Sequence, residues 1–195
     1  MKNKIESEKW LDVGCGQDKI HTAIGVDMIK LPEVDVVHDL NSFPWPFADN
    51  TFDHVVCKHS LEHLNNFIGV IEEIYRITKP DGIIEILVPH YASDNFNTDP
   101  THRISFGHRT LDYFCLGTSL SKYQYYSGAR FERMINRISF RENVTDFRKH
   151  TKFNPMKLLG VEYIANRLPR MYERFFVWAL RSLNINIIQE LDLKE

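Results

Sequence analysis

The stretch Trp10-Leu11-Asp12-Val13-Gly14-Cys15-Gly16, WLDVGCG, passes from an apolar run broken by one acid into two glycines. That pattern predicts a buried parallel strand over Trp10–Val13 that runs into a tight turn. With no Cβ at Gly14 or Gly16, the turn is free to take up positive φ and to let a ligand approach its backbone N–H groups. Outward from the turn, Ala23-Ile24-Gly25-Val26-Asp27 is a second apolar run that ends in a carboxylate. Two such strands about a glycine turn mark the ligand-binding end of a doubly wound sheet, and Asp27 stands where such a sheet grips a ribose.

The rest of the chain continues the alternation. A third strand is predicted over Val34–Val37, followed by His38-Asp39-Leu40, and the breakers in NSFPWPFADN (Asn41 to Asn50) predict a loop. Thr51–Cys57 reads as a fourth strand leading into Lys58 and His59, and Ser60 as the N-cap of a short helix through Leu64. Phe67, Val70, Ile71, Ile74 and Ile77 share one face opposite Glu72, Glu73 and Arg76, which predicts an amphipathic helix stopped by Pro80-Asp81-Gly82. Ile83–Val88 is the most apolar strand and hence central. Between His90 and Tyr126 the pattern turns irregular and aromatic, too long for a connector, which points to a functional insertion. A sixth strand is expected at about Arg133–Arg141 with a basic stretch Arg148-Lys149-His150 beyond it. Two helices parted near Pro169 are expected over Pro155–Leu183, and a seventh strand over Ile185–Leu193. The expected architecture is α/β: one Rossmann-like domain over 1–195, with a seven-stranded, mostly parallel sheet flanked by helices and a truncated first helix. It divides into a cofactor-binding half (1–90), a substrate-side insertion (90–126) and a basic C-terminal part (127–195).

Bulk properties narrow the class. The 195 residues, 43% hydrophobic and 26% charged, suit one globular domain and exclude disorder. The start MKNKIESEKW has no apolar core of a signal peptide, and no run approaches the roughly 18 apolar residues of a membrane span. Cys15, Cys57 and Cys115 are isolated and odd in number, which argues for reduced thiols and a cytoplasmic protein, at most peripheral to a membrane. The net charge of −2 hides an acidic part over 1–119, with 10 Lys/Arg against 18 Asp/Glu, and a basic part over 120–195, with 14 against 8. Such asymmetry fits either an anionic partner at the basic part or a solvated helix face.

The glycine turn does not suit a nicotinamide cofactor, which would want a third glycine at Lys19. The sequence instead resembles the class I S-adenosylmethionine-dependent methyltransferases over about residues 10–90. The matching segments are LDVGCG (Leu11 to Gly16), GVD (Gly25 to Asp27), Asp39-Leu40, FADNTFDHVV (Phe47 to Val56), LEHL (Leu61 to Leu64) and ITKPDG (Ile77 to Gly82). The resemblance implies S-adenosyl-L-methionine as cofactor, with Asp12, Gly14 and Gly16 at its methionine end, Asp27 on the ribose hydroxyls, and Asp39 and Leu40 at the adenine. Cys15, Met28 and Lys58 are counted with them in the cofactor site. The compact GCGQDKIHTAIGVD together with Asp99-Pro100-Thr101-His102 is similar to small methyltransferase-domain proteins encoded among surface-polysaccharide biosynthesis genes, which implies a glycan or lipid-linked glycan acceptor.

Methyl transfer to a hydroxyl needs a base, and a histidine is the natural one near neutral pH. His102 ranks first, with Asp99 three residues earlier to orient its ring; His90 is second, and His59 and His108 lie in the same region. His59-Ser60-Leu61-Glu62-His63 matches the H-x-x-E-H pattern of zinc peptidases, but at the start of a short helix Glu62 and His63 read as structural. No metal is expected; the one set weighed for a divalent cation is His90, Asp94, Asp99 and His102. The C-terminal aromatics and arginines suggest either a lid or an interfacial helix on anionic lipid. The expected partner is a small-molecule or glycan substrate, anionic or lipid-linked, rather than nucleic acid. Two rivals remain: an RNA or nucleotide methyltransferase, and a cofactor-binding module without catalysis.

Overall fold

The computed structural model describes residues 8–140, 160–176 and 186–193. Its centre is one seven-stranded sheet in the order β3-β2-β1-β4-β5-β7-β6. The strands are β1 (Trp10–Val13), β2 (Ile24–Asp27), β3 (Val36–Val37), β4 (Phe52–Lys58), β5 (Thr78–Pro89), β6 (Phe131–Ser139) and β7 (Asn186–Leu193). The first five are parallel, and β7 inserts antiparallel between β5 and β6. The expected mostly parallel, seven-stranded architecture is the one observed.

Local sequence explains most of the elements. Helix α1 (Phe67–Ile77) buries Val70, Ile71, Ile74 and Ile77, the face its periodicity predicts, and Asn66 caps it by accepting from the Gly69 N–H at 3.1 Å. The helix ends at Thr78 rather than at Pro80-Asp81-Gly82, because the chain already enters β5 there, with Thr78 paired to Phe52. Residues 14–23 hold only turns, so the first helix is absent and not merely short. The proline-rich loop over 41–50 is anchored on α1: the Trp45 N–H donates to Glu73 at 2.6 Å, and Arg76 bonds Glu73, Asp49 and the Phe47 carbonyl. The buried residues of β1, β4, β5 and α1 make the main apolar core, with Trp45, Phe106 and Phe131 packed into it.

The insertion after β5 carries α2 (Asp94–Thr98) and 3-10 turns at Thr110–Tyr113 and Ser121–Tyr126. In the C-terminal part, α3 (Val161–Arg167) and α4 (Pro169–Met171) meet at Leu168 and Pro169, and a π turn follows at Tyr172–Phe176. The division of that segment near Pro169 is as expected. The stretch Arg148-Lys149-His150, the start of the helical segment at Pro155 and its end at Leu183 lie outside the described residues. No helix among the described residues is long and apolar enough to cross a membrane.

Candidate active site

The carboxyl ends of β1, β2 and β4 meet at the glycine turn. Gly14 has φ +68°, and a Cβ there would lie 2.5 Å from the Ser60 Cβ, so the turn packs directly on the segment that follows β4. Gly16 has φ +51° and nothing within 4 Å of where its Cβ would project, so its backbone faces open space. One glycine is required by packing and the other leaves an approach for a ligand. Gly14→Ala, which is both strained at positive φ and short of room, is expected to cost about 1–3 kcal/mol of stability. Urea unfolding measures it, and an unchanged midpoint would show that Ser60 moves aside freely.

The acids predicted for the cofactor lie around this turn. Asp27 ends β2 with both oxygens fixed, Oδ2 accepting from the Gly16 N–H at 3.0 Å and Oδ1 from the Ile29 N–H at 3.0 Å. Asp12 is buried and accepts from the Ile20 N–H at 2.8 Å. Burial raises its pKa above the usual carboxylate value, against that bond and the charges of Lys58 and Lys19. Lys58, at the end of β4, therefore acts on Asp12 as a counter-charge. Cys15 is buried, and burial pushes its thiol up to about 11, so it lines the turn as a neutral group. Met28 is exposed beside Asp27. In the loop after β3, Asp39 is exposed and accepts from the N–H and the side-chain amide of Asn41, which hold its carboxyl below the usual range. Leu40 turns into the core, and its carbonyl accepts from the Trp45 indole at 3.1 Å. Of the two residues expected at the adenine, Leu40 is packed on the core and Asp39 is the polar group that the loop presents. One clamp was not foreseen: Lys19 reaches Asp35 at 2.7 Å and Asp35 also accepts from the Gly25 N–H, which ties the turn to the strand beside it.

The residues predicted for catalysis separate into two groups. His90 is fully buried; its Nδ1 accepts from the Ala92 N–H at 3.2 Å, so its Nε2–H donates to Glu173 at 3.1 Å. Glu173 also accepts from the His108 N–H at 2.6 Å. Burial opposes the charge on Glu173, but the bonds from His90 and His108 outweigh it and hold the carboxyl below its usual range. His90 is thus a structural link to the C-terminal segment and not a base. For the same reason the set His90, Asp94, Asp99 and His102 does not form a cation site, since His90 has both ring nitrogens committed elsewhere. His108, with its pKa lowered by burial, belongs to this structural group through its backbone.

His102 lies elsewhere, in a cluster with Glu62 and His63. The Glu62 carbonyl accepts from the N–H groups of Arg103 at 2.8 Å and Ile104 at 3.1 Å, which folds the insertion back onto the 3-10 turn Leu61–His63. His102 stacks on Phe96, and its ring is set by the Phe96 carbonyl, to which Nδ1 donates at 2.9 Å. Asp99, expected to orient that ring, stays 3.8 Å from Nε2 and spends Oδ1 on Thr101. Phe106, four residues beyond His102, packs in the core against Phe67. His59 is exposed at the end of β4 in a left-handed conformation, φ +50°, with Nδ1 3.5 Å from Glu62 Oε1. Strained non-glycine residues of this kind gather at functional sites. Ser60 sits in the predicted cap position but makes no capping bond.

Residues 27–86 match the family described as a methyltransferase domain. Demethylmenaquinone methyltransferase of Geobacillus stearothermophilus is 34% identical over 108 residues, 55% of this chain and 38% of that protein. The enzyme of the same name from Lysinibacillus sphaericus is 32% identical over 56 residues, 29% of this chain and 24% of that protein. The chain thus spans well under half the length of these curated relatives. Among solved structures, an S-adenosylmethionine-dependent methyltransferase from Archaeoglobus fulgidus superposes with a TM-score of 0.56 at 21% identity, covering 95% of this chain and 86% of that one. The [4+2]-cyclase SpnF superposes at 0.54 and 19% identity, covering 96% and 74%. The fold is that of the class I S-adenosylmethionine-dependent methyltransferases. Because a cyclase shares it, the activity has to be argued from the site.

Proposed function

We propose that the protein is an S-adenosylmethionine-dependent methyltransferase that methylates a hydroxyl of a saccharide or lipid-linked saccharide. The observation that carries this reading is the direct packing of the open, acid-flanked glycine turn against Ser60, which stands next to the Glu62, His63 and His102 cluster. Cofactor and acceptor chemistry then adjoin. Asp27, with two oxygens fixed by backbone donors, still has lone pairs for two vicinal hydroxyls, and the Gly16 backbone admits the rest of the molecule. Held by Asp27 and the Gly16 backbone, S-adenosylmethionine would supply an electrophilic methyl group on a sulfonium, and the Glu62, His63 and His102 cluster would handle the proton of the acceptor hydroxyl.

The acceptor class is supported by the insertion. Tyr113, Tyr123, Tyr125 and Tyr126 form an aromatic group there, with Tyr125 73% exposed, a surface suited to a ring-shaped ligand. Tyr163, Ile164, Leu168 and Met171 are exposed on α3 and α4 beside Arg167 and Arg170, which supports contact with an anionic lipid surface and hence a lipid-linked acceptor. A nucleic-acid acceptor has less support, because Arg109 and Arg133 are both engaged by Asp112. The names of the curated relatives favour a second reading, a demethylmenaquinone acceptor.

A methyl-transfer screen against glycans, lipid-linked glycans and demethylmenaquinone, read by mass spectrometry, separates these. The expected result is methylation of a glycan or its lipid-linked form. Methylation of demethylmenaquinone alone would reassign the acceptor, and failure to bind either S-adenosylmethionine or its demethylated product would remove the cofactor.

A further inference from the structure

We propose that Glu62, His63 and His102 form a binding site for a divalent transition-metal ion of the zinc type. One ligand atom from each lies within 4.8 Å of the other two. The carboxylate of Glu62 is 1% exposed, and neither of its oxygens takes part in a hydrogen bond. A buried carboxylate in that condition is costly unless a positive charge meets it.

The two rings are turned to supply the other ligands. The Phe96 carbonyl can only accept, so His102 carries its proton on Nδ1 and, when neutral, presents the lone pair of Nε2. The Thr101 hydroxyl gives its hydrogen to Asp99 at 2.6 Å, so it accepts from His63 Nδ1 at 2.9 Å. That leaves the Nε2 lone pair of His63 unspent as well. Metal-binding histidines have this arrangement, with the second ring nitrogen held by a carbonyl or through a carboxylate. His102 Nε2 lies 3.9 Å from Glu62 Oε1, too far for a hydrogen bond, whereas a cation bridging the two sits about 2.0–2.2 Å from each. A proton on His102 would meet only one lone pair and leave His63 and the second Glu62 oxygen as they are; a cation meets all three residues. His59 Nδ1, 3.5 Å from Glu62 Oε1, is the remaining titratable ring that faces this carboxylate among the described residues. Two imidazoles and one carboxylate suit zinc or ferrous iron and not magnesium or calcium, which favour all-oxygen shells.

The site stands on its own geometry; only its place beside an acceptor rests on the methyl-transfer reading. Zinc titrated into the metal-free full chain, followed by calorimetry and elemental analysis, is expected to bind one ion per chain. His63→Ala and His102→Ala should each weaken binding at least tenfold, while His21→Ala, exposed between β1 and β2, should stay within twofold. Cobalt in place of zinc should give visible absorption bands that His63→Ala abolishes. Glu62→Gln keeps the side-chain shape, so in the metal-free protein it should raise the thermal midpoint while removing the rise that zinc causes in the wild type. No stoichiometric uptake, uptake unaffected by both histidine variants, or a metal-free midpoint that falls in Glu62→Gln would overturn the proposal. Zinc bound as expected in a chain that transfers no methyl group would leave this site standing and remove the proposed activity.

Discussion

His102→Ala is expected to lower kcat by about 10²–10⁴-fold, the contribution of a group that handles the acceptor's proton, either as the base in the metal-free chain or as a ligand of the cation that would lower the hydroxyl's pKa. His102 is 8% exposed and fixed on two sides, by the stack on Phe96 and by the bond to the Phe96 carbonyl. Its Nε2 therefore points into the Glu62 cluster with little rotational freedom, and a truncated side chain leaves nothing to replace it. Affinity for the demethylated cofactor product should stay within about twofold, because the partners of the His102 ring are Phe96, His63, Glu62 and Asp99. Steady-state kinetics together with calorimetry test both halves. If turnover and cofactor binding fell together, His102 would be a structural residue, and the proton would pass to His59, since His90 is committed to Glu173.

Asp27→Ala is expected to weaken S-adenosylmethionine binding by about 1.5–3 kcal/mol, or roughly 10–150-fold in Kd. The residue acts in two ways. Its carboxylate is the acceptor at the end of β2, and through Oδ2 it also holds the Gly16 N–H that shapes the turn. Calorimetry on the variant gives the first effect directly, and its thermal midpoint reports how much of the loss comes from the turn. Unchanged affinity would remove Asp27 from the ribose site.

The sequence was most legible where a short-range pattern has one physical solution. The apolar face of Phe67–Ile77 could form only on a helix, and WLDV followed by two glycines could form little but a strand and a turn. The first helix is expected to be truncated, and residues 14–23 go further by holding only turns. What the sequence did not reveal were pairings made across long intervals. His102 ranks above His90 for its nearby Asp99, yet what separates them is that His90 is held by Glu173 from 83 positions away and His102 is brought to Glu62 by backbone bonds from Arg103 and Ile104. The pattern His59-Ser60-Leu61-Glu62-His63 was visible, but as a local helix pattern it gave no reason to look to His102 for the third side chain. The burial of Leu40 was not legible either, because a motif assigns a residue to a loop without saying which way its side chain turns.

The position of β7 sets the order in which the chain can be completed. This strand, Asn186–Leu193, lies between β5 and β6 although both precede it in sequence. During synthesis the parallel half can therefore assemble first, while β6 has no neighbour to pair with and β5 presents an open edge at Ile84, Ile86 and Val88. An open apolar edge is a template for pairing with another chain. Nascent chains halted before Asn186 should consequently associate with one another, and β7 acts as the plug that ends this exposure.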